Sequence, residues 1–341
     1  MKILVTGGAG FIGSNFIRYM LSEYPEVEIV NMDVLTYAGN LENLSAIQED
    51  TRYDFERLNI SSQDDVAGVF QKYNFDYVVN FAAETHVDRS IHMSVHPFID
   101  TNISGVQNLL DEGAAHGIRR FVQVSTDEVY GTLGETGRFT EDSPIKPNNP
   151  YAATKASADL LVRAAVKSHG IDAVITRCSN NFGPFQFPEK LIPLMIANAS
   201  SDISLPVYGD GMHVRDWIYV RDHCSAIDAV MRKGSPDRIY NIGGNHDVPN
   251  LHIVKTILKI LNKPESLIKF VEDRPGHDRR YAIDSSRIQD ELNWKPAHSF
   301  ESAMKSTVDW YVQNKQWWER IRSGEYKEYY RKMYGNRKSA T

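Results

Sequence analysis

The sequence predicts an α/β protein: a Rossmann-type doubly wound parallel sheet with a smaller mixed α/β substrate-binding domain. Three observations lead there. Short β-type runs alternate with helical patterns through the first half. A glycine-rich turn joins the first strand to the first helix. The texture changes after about residue 178. Alternating strands and helices give βαβ units, and their right-handed crossovers bury a parallel sheet between helix layers. A chain of 341 residues has room for about two such domains.

The elements follow in order. Lys2–Thr6 reads as a buried strand, and Phe11–Glu23 as a helix with Phe11, Phe16, Ile17 and Met20 on one side. Val27–Met32 is a second strand and Tyr53–Ile60 a weaker third. Gln63–Tyr73 is helical and Asp76–Phe81 a fourth strand. Asn102–His116 is a helix, Arg120–Ser125 a fifth strand, Tyr151–His169 a long alanine-rich helix, and Asp172–Arg177 a sixth strand. Pro184, Pro188, Pro193 and Pro206 then break the chain into short segments. Ile203–Tyr208, Asp216–Val220 and Ile239–Ile242 read as strands, Asp222–Lys233 and Leu251–Asn262 as helices. The C-terminal third is helical and holds Trp294, Trp310, Trp317 and Trp318; the basic tail after Met333 is short and frayed.

Composition narrows the function. Hydrophobic residues make up 42% and charged residues 24%, which excludes a disordered chain. A net charge of −6 disfavours a nucleic-acid binder, since phosphate backbones need clustered cations. Small anions stay possible, because helix N-termini hold phosphates without bulk charge. The two cysteines, Cys178 and Cys224, suggest neither a zinc site nor a disulfide framework, and no metal is expected. The N-terminal apolar run is too short for a signal core, and no stretch is long enough to cross a bilayer. The expectation is a soluble, cytoplasmic protein.

Gly7-Gly8-Ala9-Gly10-Phe11-Ile12-Gly13 fits both G-x-G-x-x-G and G-x-x-G-x-x-G. Glycines permit the tight turn and close approach to a pyrophosphate, and the helix N-terminus adds N–H donors. Asp33 lies 20 residues beyond Gly13, where a carboxylate meets an adenosine ribose. A carboxylate repels a 2′-phosphate, and no Arg or Lys lies between Asn31 and Asn40, so NAD is favoured over NADP. Further strand ends, Asn59-Ile60, Phe81-Ala82-Ala83-Glu84-Thr85 and Thr101-Asn102, fall where open parallel sheets bind ligands.

Tyr151-Ala152-Ala153-Thr154-Lys155 is a Y-x-x-x-K match. The spacing alone is cheap, recurring at Tyr311 to Lys315 and Tyr334 to Lys338. Only Tyr151 follows a helix-starting Pro150, with a strand ending in Ser125-Thr126 about 25 residues upstream. Tyr151 and Lys155 share a helix face, and an ammonium beside a phenol lowers its pKa toward a usable base. Thr126 can hydrogen-bond the reacting oxygen. Asp127-Glu128 follows at once. Two carboxylates in one pocket can be pushed apart into an acid and a base, although the pair alone fits a solvated polar loop equally well.

These motifs, with AAETHVDRS at 82–90, STDEVYG at 125–131, YAATKA at 151–156, CSNNFGP at 178–184, PEKLIP at 188–193, VRDWIYVRDHC at 214–224, YNIGG at 240–244 and DRPGHDRRYAID at 273–284, make the chain resemble the dTDP-glucose 4,6-dehydratase family. That family is a branch of the extended short-chain dehydrogenases/reductases, and the resemblance covers nearly the full length. It implies a tightly bound NAD, recycled within each turnover. Tyr151, Lys155 and Thr126 would serve oxidation at C4, Glu128 would remove the C5 proton, and Asp127 would protonate the departing C6 hydroxyl. The product would be a 4-keto-6-deoxy sugar nucleotide for deoxysugar routes such as rhamnose. Implied cofactor contacts are Gly7, Gly10, Phe11, Ile12, Gly13, Asp33, Val34, Leu35, Thr36, Asn59, Ile60, Phe81, Ala82, Ala83, Thr85, Thr101, Tyr151, Lys155 and Asn181. Implied substrate contacts are Thr85, Thr126, Asn180, Lys190, Leu191, Pro206, Tyr208, Arg215, Asn250, Arg274 and His277. Asn59 departs from the Asp usual in the family, but its carbonyl oxygen can accept from the adenine amino group. The loop from His92 to His96 is unusual and has no assigned role.

The implied division is an NAD-binding domain, 1–178, with returning segments near 210–245, and a sugar-nucleotide domain, 179–341. The implied assembly is a homodimer through a four-helix bundle of Asn102–His116 and Tyr151–His169. Ala158, Ala164 and Ala165 allow close helix approach there or equally packing on the sheet. Two other readings stay open: a related enzyme such as a 4-epimerase or UDP-glucose 4,6-dehydratase, and a non-catalytic NAD-dependent sensor, which would not need the acid–base set.

Overall fold

Alternation of side chains along the first strand decides the layering. Ile3 and Val5 join one buried cluster and Leu4 the other, so the strand is covered on both faces. The computed structural model describes residues 1–273 and 277–322. In chain order its first half holds β1 (Lys2–Thr6), α1 (Phe11–Glu23), β2 (Glu28–Met32), β3 (Tyr53–Glu56), α2 (Gln63–Lys72), β4 (Tyr77–Asn80), α3 (Val87–His92), α4 (His96–Ile99), α5 (Gly105–Ala115), β5 (Arg120–Thr126), α6 (Pro150–His169) and β6 (Ala173–Cys178).

The chain then leaves the sheet through β7 (Asn180–Phe182), α7 (Leu191–Ser200), β8 (Leu205–Tyr208) and β9 (Val214–Tyr219). It returns with α8 (Val220–Lys233) and β10 (Ile239–Ile242), then leaves again through β11 (Asp247–Pro249), α9 (Asn250–Ile260), β12 (Ile268–Val271), α10 (Ser286–Leu292), α11 (Phe300–Gln313) and α12 (Lys315–Arg322).

The main sheet has seven strands in the order β10-β6-β5-β4-β1-β2-β3, and every pairing is parallel. This is the doubly wound Rossmann-type sheet expected from the strand–helix alternation. The order reverses at β1 and β4, so a crevice opens at the carboxyl ends of these strands. Helices α1 and α8 cover one face and α2, α5 and α6 the other. A third apolar cluster, holding Met195, Trp217, Ile257, Met304 and Trp318, is built from the segments that leave the sheet. Among the described residues no helix is long and apolar enough to cross a membrane.

Several elements differ from the sequence expectation. Strand β3 stops at Glu56 rather than Ile60, because Asn59 turns the chain by accepting from Ser61 N and Oγ at 3.0 and 2.8 Å. The helix expected from Asn102 begins regularly at Gly105, after a widened π-type turn at Asp100–Ser104. Helix α7 was not expected: Pro193 reads as a breaker, but it sits in the first turn, where its missing N–H costs no hydrogen bond.

Helix α6 is pinned to the sheet by a buried ion pair. Arg177 of β6 donates from Nε to Asp159 Oδ2 at 2.9 Å, and the two side chains are 1% and 0% exposed. The Arg177 guanidinium lies 4.8 Å from the Tyr130 ring, whose hydroxyl donates to Asn241 of β10 at 2.8 Å. Removing one member of such a pair leaves the other charge unmatched in an apolar setting. Asp159→Asn is therefore expected to lower unfolding free energy by about 3–5 kcal/mol in denaturant titration. A loss under about 1 kcal/mol would show that the pair is dispensable.

Candidate active site

The glycine turn fits its place by contact. Gly7 has φ +69°, and a Cβ there would lie 2.6 Å from Ala82 N, so the turn rests on the end of β4. A Cβ at Gly13 would collide with the Gly7 carbonyl. Gly10 caps α1 without a side-chain hydrogen bond, and the first turn carries no acidic residue. The leading N–H groups of α1 thus meet the cleft without a side-chain acceptor, the arrangement that accepts phosphate.

At the end of β2, Asp33 accepts from Ala9 N at 2.9 Å and from Leu35 N at 2.8 Å. Burial pushes its carboxyl above the usual range, and the two backbone donors oppose that. Leu35 takes φ +59° to make this turn.

On the far side of the cleft, β5 runs into a short 3₁₀ turn, Asp127–Tyr130, capped by Thr126 Oγ1 accepting from Glu128 N at 3.3 Å. Facing it is the start of α6. Pro150 occupies the first turn, and Asn149 Oδ1 accepts from Ala152 N at 2.8 Å. Lys155 Nζ donates to the Val124 carbonyl at 2.7 Å. Thr126, Asp127, Glu128, Tyr151 and Lys155 all line one cleft, together with Gly7, Gly10, Phe11, Ile12, Gly13, Asp33, Val34, Thr36, Asn59, Ile60, Phe81, Ala82, Ala83, Thr85, Thr101, Asn180, Asn181 and Lys190.

Asp127 is held well above the carboxylate range, chiefly by burial and then by the charges of Glu128 and Asp216; Arg215 and Thr126 pull the other way. Tyr151 is also pushed well above an ordinary phenol, by burial and then by Glu128. Burial outweighs the hydrogen bond from Thr126 that favours the phenolate, and the Lys155 ammonium one turn along the helix donates to the Val124 carbonyl.

Not every expected contact lies on the cleft wall. Leu35 contributes its N–H to Asp33 from just outside it. Leu191 opens α7 beside Lys190, and Pro206 and Tyr208 lie in β8. Tyr208, Asn250 and His277 gather around His213 in a neighbouring cluster. The Tyr208 and His277 rings meet edge-on at 6.1 Å, and Asn250 N donates to the His213 carbonyl at 2.9 Å. Asp273 clamps both histidines, His213 Nε2 at 3.1 Å and His277 Nδ1 at 2.6 Å. Their rings stack at 3.7 Å, which aims the in-plane lone pairs side by side rather than at one metal centre. Arg215 bridges the two regions: it is buried, donates to the Asp278 carbonyl at 2.8 Å, and is one of the charges acting on Asp127. Arg274 lies outside the described residues.

Comparison with known proteins agrees with this geometry. A family model described as GDP-mannose 4,6 dehydratase matches residues 4–307. The dTDP-glucose 4,6-dehydratase of Neisseria meningitidis serogroup B is 48% identical, over 96% of this chain and 97% of its own. The chain belongs to the dTDP-glucose 4,6-dehydratase family.

A crystal structure of the Streptomyces venezuelae dTDP-glucose 4,6-dehydratase with NAD bound is 45% identical, with a TM-score of 0.91 over 94% of this chain and 100% of that one. UDP-glucose 4-epimerase of Thermotoga maritima shares the fold at a TM-score of 0.86 but only 26% identity, covering 92% of this chain and 100% of its own. Dehydratase family membership thus rests on sequence as well as shape.

Sequence reasoning missed part of the cleft wall. Tyr37, Phe187 and Glu189 close one rim: the Tyr37 and Phe187 rings meet edge-on at 5.6 Å, and the Arg89 guanidinium lies 3.7 Å from the Tyr37 ring. The buried Glu189 carboxylate faces His86 at 3.5 Å and Arg89 at 3.8 Å. Tyr37 stands four residues after Asp33 in a polar turn, the one signal that could have found it. Asn59 lies on the cleft wall, and its carbonyl oxygen accepts from Ser61 N and Oγ at 3.0 and 2.8 Å.

Behind the cleft, His223 Nδ1 donates to Asn181 Oδ1 at 2.8 Å, and burial pushes its pKa down to about 3 from 6.5. The folded chain holds this ring neutral. Its contribution is complete above the unfolded value and is lost as pH falls from there toward the folded one. Between pH 7 and pH 4 the loss should be about 3 kcal/mol. The check is the pH dependence of the unfolding free-energy difference between the native chain and His223→Gln. A difference that stays flat would contradict a neutral buried His223.

Proposed function

We propose that the chain is a dTDP-glucose 4,6-dehydratase, forming dTDP-4-keto-6-deoxyglucose and water. One observation carries the reading: a buried acid whose pKa burial raises, Asp127, sits next to Glu128 on the turn that faces Tyr151 and Lys155. A hydride transfer alone needs no second acid–base pair; eliminating water between C5 and C6 does.

The residues fit NAD. The N-terminus of α1, with Gly7, Gly10, Phe11, Ile12 and Gly13, suits the pyrophosphate. Asp33 to Thr36 suit the adenosine ribose, Asn59 and Ile60 the adenine, and Phe81 to Ala83, Thr85, Thr101 and Asn181 the rest. The bound nicotinamide supplies hydride acceptance from C4 and return to C6. In our reading Tyr151 takes the C4 hydroxyl proton, Lys155 supports the phenolate, and Thr126 donates to the C4 oxygen. Glu128 takes the C5 proton, now acidified by the neighbouring ketone. Asp127 gives its proton to the C6 hydroxyl, which leaves as water. Glu128 then returns a proton to C5, and the proton taken by Tyr151 passes through solvent to restore Asp127 for the next turnover.

Asn180, Lys190, Leu191, Pro206, Tyr208, Arg215, Asn250, Arg274 and His277 would hold the sugar nucleotide, the arginines by forked bonds to the diphosphate. We assign cofactor binding to residues 1–178 with returning segments near 210–245, and sugar-nucleotide binding mainly to 179–341. The packing of α5 on α6 and the exposed Leu160, 54% accessible, support a homodimer through these helices. The two unpaired, buried cysteines support a reducing, cytoplasmic setting.

The test is incubation of purified protein with dTDP-glucose, and with UDP-glucose in parallel. The 4-keto-6-deoxy product is expected from dTDP-glucose, and no product from either would overturn the reading. Glu128→Gln should lower turnover by about 10²–10⁴-fold while NAD stays bound; unchanged turnover would remove Glu128 from the base role.

A further inference from the structure

A general base must hold one orientation at the moment of proton transfer, yet a glutamate side chain has three torsions to fix. Its own turn holds Glu128 through the backbone, from Glu128 N to Thr126 Oγ1 at 3.3 Å and from Gly131 N to Glu128 O at 3.2 Å. For the carboxylate itself, Asn149 Nδ2 donates to Glu128 Oε2 at 3.2 Å. The other end of the same amide is also committed, since Asn149 Oδ1 accepts from Ala152 N at 2.8 Å as the N-cap of α6. Backbone N–H can only donate and an ionised carboxylate can only accept, so one orientation of the amide satisfies both neighbours.

The chain brings these groups together deliberately. Gly131 has φ +85°, and a Cβ there would collide with the Lys146 carbonyl. Lys146 N donates to Val129 O at 3.0 Å, so the segment leading to α6 lies directly on the Glu128 turn. Next to Asn149, Asn148 Nδ2 donates to Asp278 Oδ1 at 2.6 Å, which ties the same segment to the chain around Asp278.

We propose that Asn149 is a positioning residue that holds Glu128 for removal of the C5 proton and couples it to the helix carrying Tyr151 and Lys155. This rests on the dehydratase reading and deepens it. One amide sets the spacing between the group that acts at C4 and the group that acts at C5, so oxidation and elimination are aligned on one sugar. The proton balance is unchanged: Glu128 takes the proton, and the C5–H electrons pass into the enolate that expels the C6 hydroxyl.

Asn149→Ser tests it, because serine keeps a capping oxygen and loses the amide donor. In the holoenzyme with dTDP-glucose in deuterated water, reduction of bound nicotinamide should stay within about 3-fold of native. Solvent deuterium should enter C5 roughly 10–100-fold more slowly, and reduced nicotinamide should accumulate. The melting temperature should hold, whereas Asn149→Ala, which loses the cap too, should lower it. Glu128→Gln is run alongside and should block entry of deuterium at C5. If Asn149→Ser exchanges at the native rate while Glu128→Gln does not, the positioning role is overturned and the dehydratase reading stands. If Asn149→Ser slows both steps alike and melts earlier, Asn149 is only structural and the proposal again fails. If Glu128→Gln exchanges at the native rate, the base assignment itself fails.

Discussion

The seating of α6 on the sheet is the constraint on which the site depends. Asp159 and Arg177 meet out of water, so any slide of the helix along β6 would separate two buried charges. One helical turn nearer the cleft, Lys155 is tied to the carbonyl of Val124 in β5. Two fixed points on one helix define its position along the sheet. Tyr151, one turn further on, is thereby set opposite the Asp127–Tyr130 turn that continues β5. Because β5 and β6 pair through Thr126 and Cys178, the strand carrying the acids and the strand anchoring the helix move as one body.

Burial then does the chemical sorting. Asp127 and Glu128 are adjacent in sequence, yet a turn of 3₁₀ helix sends them into different surroundings. Asp127 points where burial dominates, with Asp216 behind it on backbone N–H groups from Gly244 and His246 at 3.0 and 2.7 Å. Glu128 faces the start of α6 and meets an amide. Burial thus raises the pKa of one carboxyl, while its neighbour, with no change in residue type, meets a hydrogen-bond donor at the start of α6. Holding carboxyls and a phenol away from water costs stability, and the apolar clusters on both sheet faces and in the outer segments offset it.

Much of the fold was legible because its signals are local. β1, α1 and β10 begin and end where periodicity and glycine placement put them. The outer segments were harder: β7 and β11 have three residues each, too few for a period to register. Pro193 disguised α7. In the site, the glycine turn, Asp33, the Thr126–Glu128 segment, Tyr151 and Lys155 share one cleft, whereas Tyr208, Asn250 and His277 gather beside it. Contacts across distant segments left no such trace. The Tyr37–Phe187 rim, the bond from Asn149 to Glu128 and the capture of the Asn59 oxygen by Ser61 depend on how loops meet in space. Spacing likewise puts Lys155 near Tyr151 but does not reveal that its ammonium also meets the Val124 carbonyl.

Migration of one hydride from C4 to C6 distinguishes the proposed reaction from epimerisation, which returns the hydride to C4, and from binding without chemistry. The direct measurement uses dTDP-glucose carrying deuterium at C4, with the position of the label in the product read by mass spectrometry and NMR. The account requires the deuterium to reach C6 of a 4-keto-6-deoxy product within a single bound molecule. A product with its label lost to solvent or still at C4 would contradict it.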